Sequence, residues 1–324
     1  MFNLSNSHRA LLGALLFGLA GCSGSEPPAV ESAAAEAEYR PSNLHEAVLL
    51  GDRAAVERFL SAGADENATE ADGTTLLMRA IHGGFPDIAR RLIAAGAGVN
   101  ATNRYGVNAL YLAARGSDAA STRALLGAGA SADTALPEGE TALMTAAKVG
   151  SVAVVRTLLT GGADWLSLTA LNDEASANIA PASSGYGALT PPPPPTNRAN
   201  VNARESWYGQ TALMWAAAEG HADIVRLLIE AGANVNAQSR EVDAPESYDE
   251  WAQGSVVYAE IPRGRLTALH FAAREGQLEA AQALIDGGAD LNAVDAEGTN
   301  ALRYATLNDH LDVAALLREA GAGV

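Results

Sequence analysis

The chain has 324 residues, 48% of them apolar but only 5% aromatic, with a net charge of −17 and one cysteine, Cys22. That acidity repels phosphate backbones and anionic headgroups, which excludes nucleic acid as a partner and leaves any membrane contact to a covalent or hydrophobic anchor. One cysteine excludes an internal disulfide and any multi-cysteine metal site.

At the amino terminus Arg9 precedes an apolar run, ALLGALLFGLA at 10–20. A stable membrane-crossing helix needs about 20 apolar residues, so the shorter run suits an export signal over residues 1–21. It ends in Leu19-Ala20-Gly21-Cys22, which resembles the lipobox of bacterial lipoproteins. The resemblance implies cleavage before Cys22, a diacylated thiol and an acylated new amino terminus. Several chains anchor stably where one is marginal. Ser23 stands where an aspartate would favour the inner membrane, which points to the outer membrane and the periplasm. Residues 22–42 are rich in Ala, Glu, Ser and Pro without apolar periodicity, and predict a solvated tether reaching at most roughly 70 Å.

From about residue 43 the chain repeats itself. TALMTAAKVG at 141–150, TALMWAAAEG at 211–220 and TALHFAAREG at 267–276 are near copies, with weaker ones at 44–51, 75–84, 108–117 and 300–309. A central alanine recurs at Ala47, Ala80, Ala113, Ala146, Ala216, Ala272 and Ala305, a period of 33 broken by two insertions. Within each unit the signals are those of two helices. Thr75, Thr141, Thr211 and Thr267 stand where a hydroxyl caps the first helix. Leu143, Ala146 and Ala147, like Leu213, Ala216 and Ala217, form a narrow small-residue face. A glycine such as Gly150 or Gly220 turns the chain, and a second helix with an apolar pair (Leu158-Leu159, Leu228-Ile229) ends at Gly162 or Gly232. Polar segments such as AGANVNA at 231–237 then project a hairpin-like finger.

These residues resemble the ankyrin repeat, and the resemblance covers seven units over residues 43–324. It implies an all-α solenoid of helix–turn–helix units with fingers, stabilised by nearest-neighbour stacking. It also implies a scaffold that binds another protein without catalysis. The departures are local: alanine or leucine replaces the proline usual after the threonine, and Ser117 stands where repeat 3 should have its turn glycine. Charged residues in repeats 1 and 7 predict capping units that tolerate water on one side.

Chemistry-bearing patterns are lacking. His45 and His270 occupy the place after the leucine, and His221 and His310 the place after the turn glycine, where ring nitrogens serve backbone hydrogen bonds. There is no HExxH, GxSxG or phosphate-cradling loop, and finger Asp and Asn lack calcium-loop spacing. Turn formation is the better account of those asparagines. No cofactor, metal or catalytic residue is expected.

The insertions, at about 166–200 and 238–264, distinguish this chain. The first holds SSGYGALTPPPPPTNR, whose proline run prefers polyproline II. The second is acidic. Both should leave from the finger position on one edge of the solenoid. Trp165, Tyr186, Trp207, Tyr208, Tyr248, Trp251 and Tyr258 lie in them or at their bases, and exposed Trp and Tyr anchor interfaces. Trp215 lies apart, inside the first helix of repeat 5. The reading is a monomeric, lipid-anchored envelope protein that holds a protein partner through these fingers and the adjoining concave face. The alternatives are an enzyme with a site hidden between the long loops, and a purely structural spacer.

Overall fold

The structure, a computed structural model, describes residues 40–162, 197–241 and 264–323. The chain divides into Met1–Arg40 and Pro41–Val324, and the described architecture belongs to the second unit. Cys22, the segment 1–21 expected to be an export signal and the expected tether as far as residue 39 therefore lie outside the described residues, as do Trp165, Tyr186, Tyr248, Trp251 and Tyr258.

Fourteen helices, all among the described residues, form seven antiparallel pairs. Repeat 1 has α1 (Leu44–Leu50) and α2 (Arg53–Ser61), and repeat 2 has α3 (Leu76–His82) and α4 (Pro86–Ala95). Repeat 3 has α5 (Ala109–Arg115) and α6 (Ala119–Gly127), and repeat 4 has α7 (Ala142–Val149) and α8 (Val152–Thr160). Repeat 5 has α9 (Ala212–Ala218) and α10 (Ala222–Glu230), repeat 6 α11 (Ala268–Arg274) and α12 (Leu278–Asp286), and repeat 7 α13 (Ala301–Leu307) and α14 (Leu311–Glu319). This is the expected ankyrin-type solenoid. Helices of this length are marginal alone in water, so stacking must hold them.

Stacking is visible in burial. The seven key alanines, Ala47 through Ala305, are all 0% exposed, as are Leu92, Leu125, Leu158, Leu228 and Leu284 of the second helices. A side chain larger than a methyl at the alanine would separate the helices. Thr75, Thr141 and Thr211 accept from the backbone N–H three residues on, capping their helices as read. In repeat 6 the cap is reinforced: His270 Nδ1 accepts from the Thr267 N–H (3.1 Å), and its Nε2 lies 3.1 Å from the Thr299 carbonyl.

The finger asparagines do more than form turns. Asn202 Nδ2 donates to the Gly232 carbonyl (3.2 Å) while its Oδ1 accepts from Asn234 N–H (2.8 Å). Asn236 repeats this against Gly288 and Asp290. Each side chain thus ties one finger to the next, a role invisible within a single repeat. His221 and His310 serve carbonyls as expected, those of Lys148 and Arg274 in the preceding repeats. The His221 ring lies against the turn, where a Cβ on Gly150 would come within 2.6 Å of it. His45 departs from expectation and pairs with the Glu70 carboxylate at 3.0 Å.

Two other expectations need correction. The end repeats are only partly adapted to water, since Leu49 and Leu50 are 51% and 52% exposed and Leu307 and Leu311 58% and 69%. The two insertions also leave from different places. In ordinary repeats the second helix is closed by a bond such as Ala233 N–H to Leu228 O (2.9 Å), five residues back. In repeat 4 Leu158 O accepts instead from Ala199 (3.1 Å), across the first insertion. That insertion therefore opens inside the helix C-cap, at the finger's root. The second interrupts a finger tip between Glu241 and Gly264, closed below by Ser239 N–H to Leu266 O at 2.8 Å.

Candidate functional site

The finger before repeat 5 carries a tip, Glu205-Ser206-Trp207-Tyr208-Gly209, one residue longer than the Asp295-Ala296-Glu297-Gly298 tip before repeat 7. The extra length is organised by Glu205, only 7% exposed. Its carboxylate accepts from the backbone N–H groups of Trp207 (2.6 Å), Tyr208 (2.8 Å) and Gln210 (2.8 Å). Asp295 holds the shorter tip in the same way, through Glu297 and Thr299. Neighbouring fingers brace it further. Ser206 N–H donates to Glu138 O (2.7 Å), Arg240 N–H to Tyr208 O (2.5 Å), and Arg204 to the carbonyls of Gly209 and Gln238.

This bracing turns two aromatic side chains outward. Trp207 is 65% and Tyr208 51% exposed, so their apolar faces stay in water on a backbone held in place by these bonds. Rigid presentation lowers the entropy lost when such residues are buried by a partner.

Gln210 links the tip to a second feature. Its Oε1 accepts from the Trp215 indole N–H at 2.6 Å, which fixes the ring on the exposed side of α9. Lys148 from α7 lies 4.9 Å from the centroid of the Trp215 ring, and Arg274 from α11 lies 5.1 Å from that of Phe271, both within cation–π range. Lys148, Gln210, Met214, Trp215, Phe271 and Arg274, with Ala218 and Glu219, line an open groove of about 200 Å³. The groove spans first helices of three successive repeats. It suits a side chain or two of a partner rather than a drug-sized ligand, which needs roughly 300 Å³ or more.

Of the aromatics singled out in the sequence, Trp207 and Tyr208 meet at this tip and the other five lie outside the described residues. Trp215 had been set apart as part of a helix; the structure brings it to the same site. Glu205 and Gln210 were not foreseen. The signal was the longer tip, with an acid at the position Asp295 fills in repeat 7.

Titratable groups elsewhere serve the scaffold. Glu70 is held down to about 2 chiefly by the Arg79 guanidinium, which outweighs the opposing effect of burial, with His45 adding to the lowering. Burial lowers His270, and burial together with the bond to Asp295 raises Tyr304. Among the described residues no group of three His, Cys, Asp or Glu side chains could hold a metal ion, and no helix is long and apolar enough to cross a membrane.

Comparison with known proteins agrees with this architecture. The model for ankyrin repeats (3 copies) matches residues 44–134 and 254–324, and that for the single ankyrin repeat matches 138–170 and 208–240. Neurogenic locus notch homolog protein 2 of Homo sapiens is 30% identical over 135 residues, 38% of this chain and 6% of that protein. Neurogenic locus notch homolog protein 1 of Xenopus laevis is 31% identical over 159 residues, 45% of this chain and 6% of that protein. The chain thus spans only 6% of the length of these relatives. The human ASB11 ankyrin repeat domain superposes with a TM-score of 0.58 at 24% identity, covering 86% of this chain and 98% of that one. The ankyrin repeat domain of Bcl-3 gives 0.57 at 24%, covering 85% and 99%. At such identity these two likenesses speak for the fold alone. Ankyrin repeats are generally protein–protein interaction modules. With seven in-phase helix pairs matched by family models over more than half its length, the chain belongs to the ankyrin-repeat family.

Proposed function

We propose that this protein is a non-catalytic scaffold of the bacterial cell envelope that captures another protein through repeat 5. The contact surface comprises the Trp207–Tyr208 tip and the groove beside Trp215. The observation that carries this reading is the exposure of two adjacent aromatics, 65% and 51%, on a tip braced by the buried Glu205 carboxylate. Tryptophan, tyrosine and arginine dominate the energetics of protein interfaces, and all three types occur here. Placement in the envelope rests on Leu19-Ala20-Gly21-Cys22 and the apolar run before it. On this reading Cys22 carries the lipid and the tether of 22–42 holds the repeats off the outer membrane, facing the periplasm.

Replacing Trp207, Tyr208 and Trp251 by alanine tests the surface: proteins that co-purify from envelope extracts should be lost. Unchanged co-purification would sink the proposal and favour a spacer. Cys22→Ser tests the anchor separately, and should move the protein from the membrane fraction to the soluble one.

A further inference from the structure

Ties between neighbouring repeats are unevenly distributed. At three junctions the residue after the turn reaches back to a carbonyl of the preceding repeat: His221 to Lys148 (3.1 Å), Gln277 to Ala218 (3.2 Å) and His310 to Arg274 (3.0 Å). In repeat 2 the same place holds Phe85, whose ring packs so closely that a Cβ on Gly51 would lie 2.5 Å from it. Neither side of repeat 3 has an equivalent at this turn position, and its junctions keep the finger ties of Asn67 to Gly98 N–H (2.8 Å) and of Asn100 to Gly129 O (3.0 Å). Asp118 is turned to its own helix, accepting from Ser121 N–H (2.9 Å), and Ser151 makes no side-chain cap at all.

The finger tips show the same gap. Arg104 N–H donates to Asp72 O (3.0 Å), Ser206 to Glu138, Arg240 to Tyr208 and Ala296 to Gly264. The tip between repeats 3 and 4 has Pro137 in the donating place. Proline has no N–H, and its ring lies instead over Gly106, where a Cβ would come within 2.6 Å of Cδ.

Repeat 3 is also weak internally. The Ser121 hydroxyl is buried with no hydrogen-bond partner, where repeats 2, 4 and 5 carry Ile88, Val154 and Ile224. A buried polar group left without a partner forfeits the hydrogen bonds it makes to water in the unfolded chain. Ser117 takes the turn at φ 55°, a left-handed backbone in which the Cβ of an L-residue crowds the carbonyl.

We propose that the stack parts at repeat 3: repeats 1–3 open as one cooperative unit while repeats 4–7, which carry the tip and the groove, stay folded. In a linear array stability is a sum of repeat and nearest-neighbour contributions. Opening an internal repeat alone breaks two interfaces, whereas opening from the N-terminal end to a weak junction breaks one. Repeats 1 and 2 are coupled by Phe85 and the Arg104–Asp72 bond, so they leave with repeat 3. The C-terminal block keeps its binding surface while the N-terminal repeats yield. This holds whichever partner the surface takes.

The sequence supplies a probe. All four tryptophans, Trp165, Trp207, Trp215 and Trp251, lie beyond repeat 3. Their fluorescence reports only the second block, while far-UV circular dichroism reports helices of both. In a urea titration of the full chain, circular dichroism should lose amplitude first, with midpoints about 0.5 M or more apart. The triple variant Ser117→Gly, Ser121→Val, Pro137→Ala should bring the two curves together. Should it fail to fold, Ser151→His, placed to reach the preceding repeat as His221 does, should narrow the gap alone. Coincident curves in the wild type overturn the proposal, as does a gap that none of these variants narrows. Hydrogen exchange without denaturant gives an independent reading: amides of 109–127 should exchange at least about tenfold faster than those of 212–230, and equal protection would refute the parting.

Discussion

Glu205 does for the tip before repeat 5 what Asp295 does for the tip before repeat 7, but it spans one more residue and so displays Trp207 and Tyr208. Its role is positional, since its carboxylate faces backbone and not solvent. Glu205→Gln removes no aromatic atom, yet should cost about 1–2 kcal/mol and weaken partner binding; full binding by a destabilised variant would leave the bracing without functional meaning. Trp207→Ala should do the reverse, shifting stability by no more than about 0.5 kcal/mol because the ring is exposed, a difference that paired thermal melts resolve. Glu70 gives a pH signature. Its carboxyl, ordinarily at 4.5, is held at about 2 in the folded protein, so the stability it contributes is fully present above 4.5 and lost as pH falls toward 2. Comparing melts of the wild type and Glu70→Gln across that window should show a shallower acid decline in the variant.

At the scale of elements, the first insertion should be separable from the repeat that contains it. Because Leu158 O already accepts from Ala199, excising residues 163–198 joins Gly162 to Ala199 and restores the spacing seen between Leu228 and Ala233. The loss of the Asn197 bonds to Ala130 and Ala132 is set against removal of a long insertion, which relieves the cost of bringing its two ends together. Thermal midpoints of the two proteins should agree within about 3 °C; collapse of the shortened protein would mean that the insertion packs into the stack. Helix pairs, caps and key alanines were legible in the sequence because each depends on residues within one repeat. The finger ties were not, because Asn202 and Asn236 act on the following repeat and look like ordinary turn residues in their own. Trp207 and Tyr208 could be picked out by type and place, whereas Trp215 was masked by its helical position. What brings Trp215 to the site is Lys148 and Phe271 from repeats on either side, a neighbourhood that a linear reading does not display.

For the molecule as a whole, a net charge of −17 sets self-repulsion against stacking, and moderate salt should raise the melting temperature by screening it. Stacking wins because every repeat buries its key alanine completely and repeats 2–7 bury a second-helix leucine completely, and the surface beyond that is free to vary. In this chain the variation is concentrated at repeat 5, on the block tied most closely by His221, Gln277 and His310. Crosslinking in cells followed by mass spectrometry, on the wild type and on a Trp207→Ala, Tyr208→Ala, Trp215→Ala variant, tests this most directly. The account predicts a recurrent protein partner joined through residues 200–219 in the wild type and at least about tenfold depleted in a variant of unchanged helix content. Identical crosslinks from both proteins would contradict it.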